Sequence, residues 1–355
     1  MNDEKIISFP NLGDYHVVFT YLLKHVTKYK VLPPRTTTKR TIELGSKYSP
    51  DFVCIPFKYN LGNFIESLEN GANIILQAGG GCRYGYYSEV QERILKDLGY
   101  EFTMYSLIGS DNKIKHYFKT MRELDKNIKL YKLIYYSLIS LLMIFFMDRN
   151  DEIIRSNIGF EIEKGSFKRI KDEMLNSFSN SKGFISLTKN YFKYRRILKK
   201  IKVNKSSDRL KVGVIGELYT AMEGYSTYFL EEELAKMNIE IKRFTNLSYL
   251  LFFKKYCRKY YLSKIKKYCT YTLGADGMDN VYRVKWLSNH NYDGIIHTKP
   301  FGCTPEITAI PIIDKISKDE DIPIIYFSFD EKYSEVGMKT RLEAFYDLMK
   351  FRKEG

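Results

Sequence analysis

From Asp111 to about Lys205 the chain contains no proline, and glycine occurs only at Gly159, Gly165 and Gly183. Proline and glycine are the strongest interruptions of regular backbone, so this long stretch reads as a succession of helices. On both sides the pattern changes to short apolar runs alternating with amphipathic ones. On the N-terminal side, helices are expected over 15–29, 61–70 and 88–98, with strands over 29–33, 51–55, 73–77 and 102–108. On the C-terminal side, strands are expected over 210–216, 239–244, 293–297 and 322–327, and helices over 228–237, 248–268, 305–317 and 340–352. Strands that alternate with helices imply a parallel sheet with helices on its faces. The expected fold is α/β: two Rossmann-like parallel-sheet domains facing a cleft, residues 1–110 and 206–355, with a helical segment at 111–205.

Charge and apolar runs narrow the function classes. The formal net charge is +15, but lysine is spread along the whole chain and no nucleic-acid motif accompanies the basic runs at 194–205 and 253–259. These runs read as solvated helix faces, and no nucleic-acid partner is expected. The uncharged run from Leu133 to Met147 is shorter than the roughly 18–20 residues of a spanning helix. It reads as a buried helix, with no membrane partner. The first ten residues lack a basic stretch followed by an apolar one, which points to a cytoplasmic protein with reduced thiols.

Three of the five cysteines lie in turns rich in glycine and proline: Cys54, Cys82 and Cys303. Each follows an apolar run read as a strand and precedes a segment read as a helix. Open α/β sheets bind ligands beyond the carboxyl ends of their strands, and helix N-termini stabilise anions there. Three thiolates from separate loops suit zinc or an iron–sulfur cluster with one open position. No close Cys pair occurs, and widely spaced single cysteines suit the larger cluster. The alternative is that the three are small buried hydrophobes. Cys257 and Cys269, in a lysine-rich stretch, read as non-ligands.

Further motifs accompany these cysteines. They are Cys54-Ile-Pro-Phe-Lys58 with Leu61-Gly62, Gly81-Cys-Arg-Tyr-Gly-Tyr-Tyr87 with Gln91, Val214-Ile-Gly-Glu-Leu-Tyr219, Pro300-Phe-Gly-Cys-Thr-Pro305, and Phe329-Asp-Glu331 with Thr340-Arg-Leu-Glu-Ala-Phe345. In combination they resemble the 2-hydroxyacyl-CoA dehydratase superfamily, in particular its branch related to acyl-CoA dehydratase activases. The resemblance implies a [4Fe–4S] cluster held by Cys54, Cys82 and Cys303 with a free iron position. It also implies low-potential electrons from an ATP-dependent activator with its own cluster, a second dehydratase-like subunit or a homodimer, and reductive chemistry on an acyl-CoA or another small molecule. A non-catalytic or electron-transfer subunit of a larger complex is the other role it allows. The region 224–228 departs from the asparagine that relatives carry there, and no CoA-binding residues are recognisable.

Around the cysteines, Lys58 and Arg83 are candidate cations beside an anionic cluster, and Tyr86, with Tyr87, a candidate packing group. Glu217 ends a strand and reads as an acid–base candidate or a helix cap. His297, six residues before Cys303, reads as a structural histidine or a proton donor.

Overall fold

A computed structural model describes residues 4–79, 82–108 and 113–354; the side chain of Arg83 lies outside the described residues. Among the described residues two four-stranded parallel sheets form, as the alternating pattern requires. Contacts divide the chain into two compact units. One contains Met1–Met143 and Ser179–Phe184, the other Ile144–Phe178 and Ile185–Gly355. The helical stretch 111–205 is therefore shared between the units.

In the first unit the strands are β1 (Ile6–Ser8), β2 (Lys30–Val31), β3 (Ile74–Gln77) and β4 (Thr103–Ser106), in the order β2-β1-β3-β4. Helix α1 (His16–Val26) crosses from β1 to β2, and α2 (Lys39–Tyr48) and α3 (Ile55–Glu69) lead to β3. Helix α4 (Tyr87–Asp97) connects β3 to β4, and α5 (Lys113–Leu124) and α6 (Leu130–Asn157) follow. One face of the sheet packs Ile7, Leu76, Leu23 and Met121 into a core; the other packs Ile75 against Phe57, Leu61, Phe64 and Leu95.

After α7 (Ser166–Ser179) and α8 (Phe184–Lys200), the second unit repeats the same strand order. Its strands β5 (Lys211–Gly216), β6 (Glu240–Arg243), β7 (Gly294–Pro300) and β8 (Ile324–Phe329) are ordered β6-β5-β7-β8. Helices α9 (Leu218–Met222), α10 (Leu230–Lys236), α11 (Lys254–Lys264) and α12 (Gly277–Ser288) precede β7; α13 (Thr304–Asp319) and α14 (Glu335–Glu354) follow it. The sheet is covered by α10 and α14 on one face, through Leu234, Leu342 and Phe345, and by α12 and α13 on the other, through Val281, Val284 and Ile313.

One expectation needs correction. Residues 51–55 do not form a strand: 51–54 turn between α2 and α3, and Ile55 opens α3. The apolar run there misleads because Phe52 points outward, 92% exposed, and Pro56 suits the first turn of a helix. The chain approaches Cys54 through α2, a helix whose packing depends on glycine. A Cβ on Gly45 would stand 1.8 Å from the Lys58 carbonyl oxygen, and one on Gly62 1.9 Å from that of Thr41. The run at Leu133–Met147 belongs to a 28-residue helix, α6, which by length and composition is apolar enough to cross a membrane. Of its apolar window 39% is buried in the protein.

Candidate functional site

The shared strand order places two of the three singled-out cysteines at equivalent positions. In each unit the chain crosses over between the first and third strands, β1 and β3 or β5 and β7, which is where open α/β sheets form their ligand crevices. Cys82 follows β3, and Cys303 follows β7. Each loop passes through a glycine with positive φ, Gly79 at 76° and Gly302 at 72°. Glycine adopts this conformation without the Cβ penalty of other residues.

Cys54 reaches the first unit's loop from the side, as the N-cap of α3. Its thiol hydrogen-bonds the Tyr87 hydroxyl. Burial, followed by the neighbouring Cys54, drives the Tyr87 phenol well above its ordinary pKa, and Cys82 adds to the effect. Two of the thiols thus act on one phenol, whose ring packs edge-on against Phe57 at 4.8 Å. Around them α3 buries an unusual set of polar groups, including Lys58 (4% exposed), Asn60 and Asn63. Asn60 Nδ2 donates to the Tyr84 hydroxyl, whereas its buried Oδ1 has no partner. Tyr86 is 72% exposed, so Tyr87 is the tyrosine of this pair that meets a cysteine.

In the second unit Cys303 is the N-cap of α13. Lys299, the penultimate residue of β7, is 5% exposed, and burial lowers its pKa against the opposing pull of Cys303 and Glu306. His297 is fully buried, with Nε2 2.6 Å from Glu306 Oε2 and Nδ1 without a partner. Glu306, in the first turn of α13, also accepts from Asn280 Nδ2 at 3.0 and 2.9 Å. Asn280 Oδ1 in turn accepts from Arg283 at 3.1 Å and from the Gly216 amide at 3.3 Å. This network ties the end of β5 and the middle of β7 to α12 and α13. Glu217 caps α9: its carboxylate accepts from the amides of Tyr219 and Thr220 at 3.0 Å and from Thr220 Oγ1 at 2.8 Å. Cys257 is half-buried on α11, and Cys269 is buried with its thiol on the Tyr271 carbonyl oxygen at 3.0 Å.

Burial raises the Glu217 carboxyl from its ordinary 4.5 to about 7, against the opposing amide bonds. The folded chain therefore holds this proton more tightly than the unfolded chain. The resulting stabilisation is complete below pH 4.5 and lost as pH rises through about 7. Relative to Glu217→Gln, the natural chain is expected to lose stability across this interval. Urea unfolding of both at several pH values measures it; a difference independent of pH contradicts the assignment.

No family model and no curated protein matches the chain. Among solved structures, the SBP FpvC from Pseudomonas aeruginosa in complex with Mn2+ has a TM-score of 0.23 at 10% identity, covering 99% of this chain and 100% of that one. Its complex with Ni2+ has a TM-score of 0.21 at 9% identity, covering 95% and 92%. Likeness at this level bears on neither fold nor ligand.

Sequence reasoning missed Lys299, Glu306 and Asn280. The first follows the polar pair His297-Thr298, just past the strand expected over 293–297, so nothing in the local pattern marked it as buried. Among the described residues no group of three His, Cys, Asp or Glu side chains is placed to hold a metal ion. Cys54 and Cys82 belong to one unit and Cys303 to the other.

Proposed function

We propose that this chain is a cytoplasmic iron–sulfur protein of the 2-hydroxyacyl-CoA dehydratase type, with Cys54, Cys82 and Cys303 as ligands of one [4Fe–4S] cluster. The observation that carries the reading is the equivalence of the Cys82 and Cys303 loops, each following the third strand of an identically ordered sheet. The donors suit the group: three thiols, two of them acting on one buried phenol and the third beside a buried lysine. When bound, the cluster would supply one-electron chemistry at low potential, with electrons from a separate ATP-dependent activator, for a reductive step on an acyl-CoA or other small molecule. The chain's own residues would set its surroundings. Tyr87 would hydrogen-bond the Cys54 sulfur, and Lys299 and Lys58 would offset the negative charge of the thiolates; hydrogen bonds and nearby charge tune such clusters.

Anaerobic purification or reconstitution, followed by iron and sulfide analysis, tests the reading. About four of each per chain is the expected result for this cluster type. A folded chain that takes up neither contradicts it.

A further inference from the structure

The groove between α5 and the start of α6, on the first unit, uses none of the residues above. Helix α5 places Lys115, Lys119 and Arg122 on one stripe, and Lys126 extends it into the turn before α6. With Phe118, Glu123, Leu130 and Ile134 these cations line a groove of about 660 Å³. Beyond it α6 presents Leu130, Tyr131, Ile134, Tyr135 and Leu138 to the outside, with exposures of 42 to 65%. Their spacing puts them on one side of the helix, opposite the buried Leu133, Ile139 and Met143. A surface helix ordinarily turns a polar face to water; here the outward face is leucine, isoleucine and tyrosine.

The surrounding charge says what would cover this face. Between Lys113 and Lys132 the chain carries seven Lys and Arg against two carboxylates, Glu123 and Asp125. Asp125 is buried, 3% exposed, and accepts from the Asn127 amide at 2.8 Å; Glu123 pairs with Lys119 at 3.6 Å. An apolar stripe rimmed by cations and carrying tyrosines matches the boundary between anionic headgroups and acyl chains. A second copy of the same face would bring cations against cations. Spanning is a poorer fit, because only fifteen residues separate Lys132 from Asp148, against roughly 20 for a bilayer crossing.

We propose that this face docks on an anionic lipid bilayer, with the α6 stripe at headgroup depth and Lys115, Lys119, Arg122 and Lys126 on the phosphates. This departs from the expectation of no membrane contact and does not depend on the cluster reading.

Vesicle flotation with the full chain tests it, using phosphatidylcholine alone and with about 30% phosphatidylglycerol, an anionic lipid. Binding is expected to the anionic vesicles, not to the neutral ones, and to weaken with added salt. Each cation near such a surface contributes about five-fold in affinity, so Lys119→Glu with Arg122→Glu is expected to weaken binding more than ten-fold. Leu138→Asp is expected to weaken it as well. All three positions are exposed, so the variants should keep the parent circular dichroism spectrum and melting temperature. Equal binding to both vesicle types, or binding to neither, overturns the proposal. So does a dimer abolished by Leu138→Asp in a chain that binds no vesicles.

Discussion

Gly62→Ala is expected to destabilise the N-terminal unit by more than about 3 kcal/mol, beyond the usual cost of overpacking a core, and to lower its Tm by roughly 10 °C. The new methyl group would meet the Thr41 carbonyl oxygen at 1.9 Å, and the Thr41 carbon and Cγ2 at 2.8 and 3.1 Å. Two of these are backbone atoms of α2, which no rotamer change moves aside. Relief requires α2 and α3 to separate. That would also break the hydrogen bond from Thr41 Oγ1 to the buried Glu66 carboxylate, 2.9 Å long. Because Cys54 caps α3, the same separation displaces its thiol from Tyr87. Gly337→Ala provides the contrast. It lies exposed in the first turn of α14 with its nearest neighbours 3.5 Å away, so it should be neutral or stabilise by up to about 1 kcal/mol. Thermal unfolding followed by circular dichroism separates the two. Equal melting temperatures would contradict the close helix contact.

Glu306→Ala is expected to cost roughly 3–5 kcal/mol, because two buried donors lose their acceptor at about 1–3 kcal/mol each. The donors are Asn280 Nδ2 and the His297 ring nitrogen, both in fully buried residues. The effect should spread along the network, since Asn280 also holds the Gly216 amide at the end of β5. Glu306→Gln keeps one acceptor and the side-chain volume, and should cost less. Urea unfolding of the three chains gives the ordering. A Glu306→Ala chain as stable as its parent would mean that the His297–Glu306 pair does not brace these strands.

The elements legible in the sequence were those whose apolar residues report the packing. Strands β3, β5, β7 and β8 each contain a short stretch of Ile or Val, and each forms within a few residues of its expected position. Strand β1 was not anticipated: three residues long, it sits in the short apolar stretch Ile6–Ser8, with no room for a periodic pattern. Helix α2 was missed for a different reason. Its contact with α3 rests on Gly45 and Gly62, whose contribution is the absence of a side chain, which hydrophobic periodicity does not register. Helix α12 was hidden because its inward face carries Asp279, Asn280 and Arg283 among its valines and leucines. Buried polar residues read as surface until their partners are known. The same blindness removed Glu306 and Lys299 from the candidate site. The cysteines were legible because glycine and proline frame them, and the two that follow strands fall where that framing implied.

Cys303 of the second unit is proposed to share one cluster with Cys54 and Cys82 of the first. The iron and sulfide content of anaerobically reconstituted Cys303→Ala, beside the natural chain and Cys257→Ala, tests it most directly. Cys54 and Cys82 remain in this variant, so a site confined to the first unit would be untouched. The account predicts that Cys257→Ala retains the parent's iron and sulfide, while Cys303→Ala keeps a folded circular dichroism spectrum and loses most of both. A Cys303→Ala chain that binds as much iron and sulfide as its parent would contradict it.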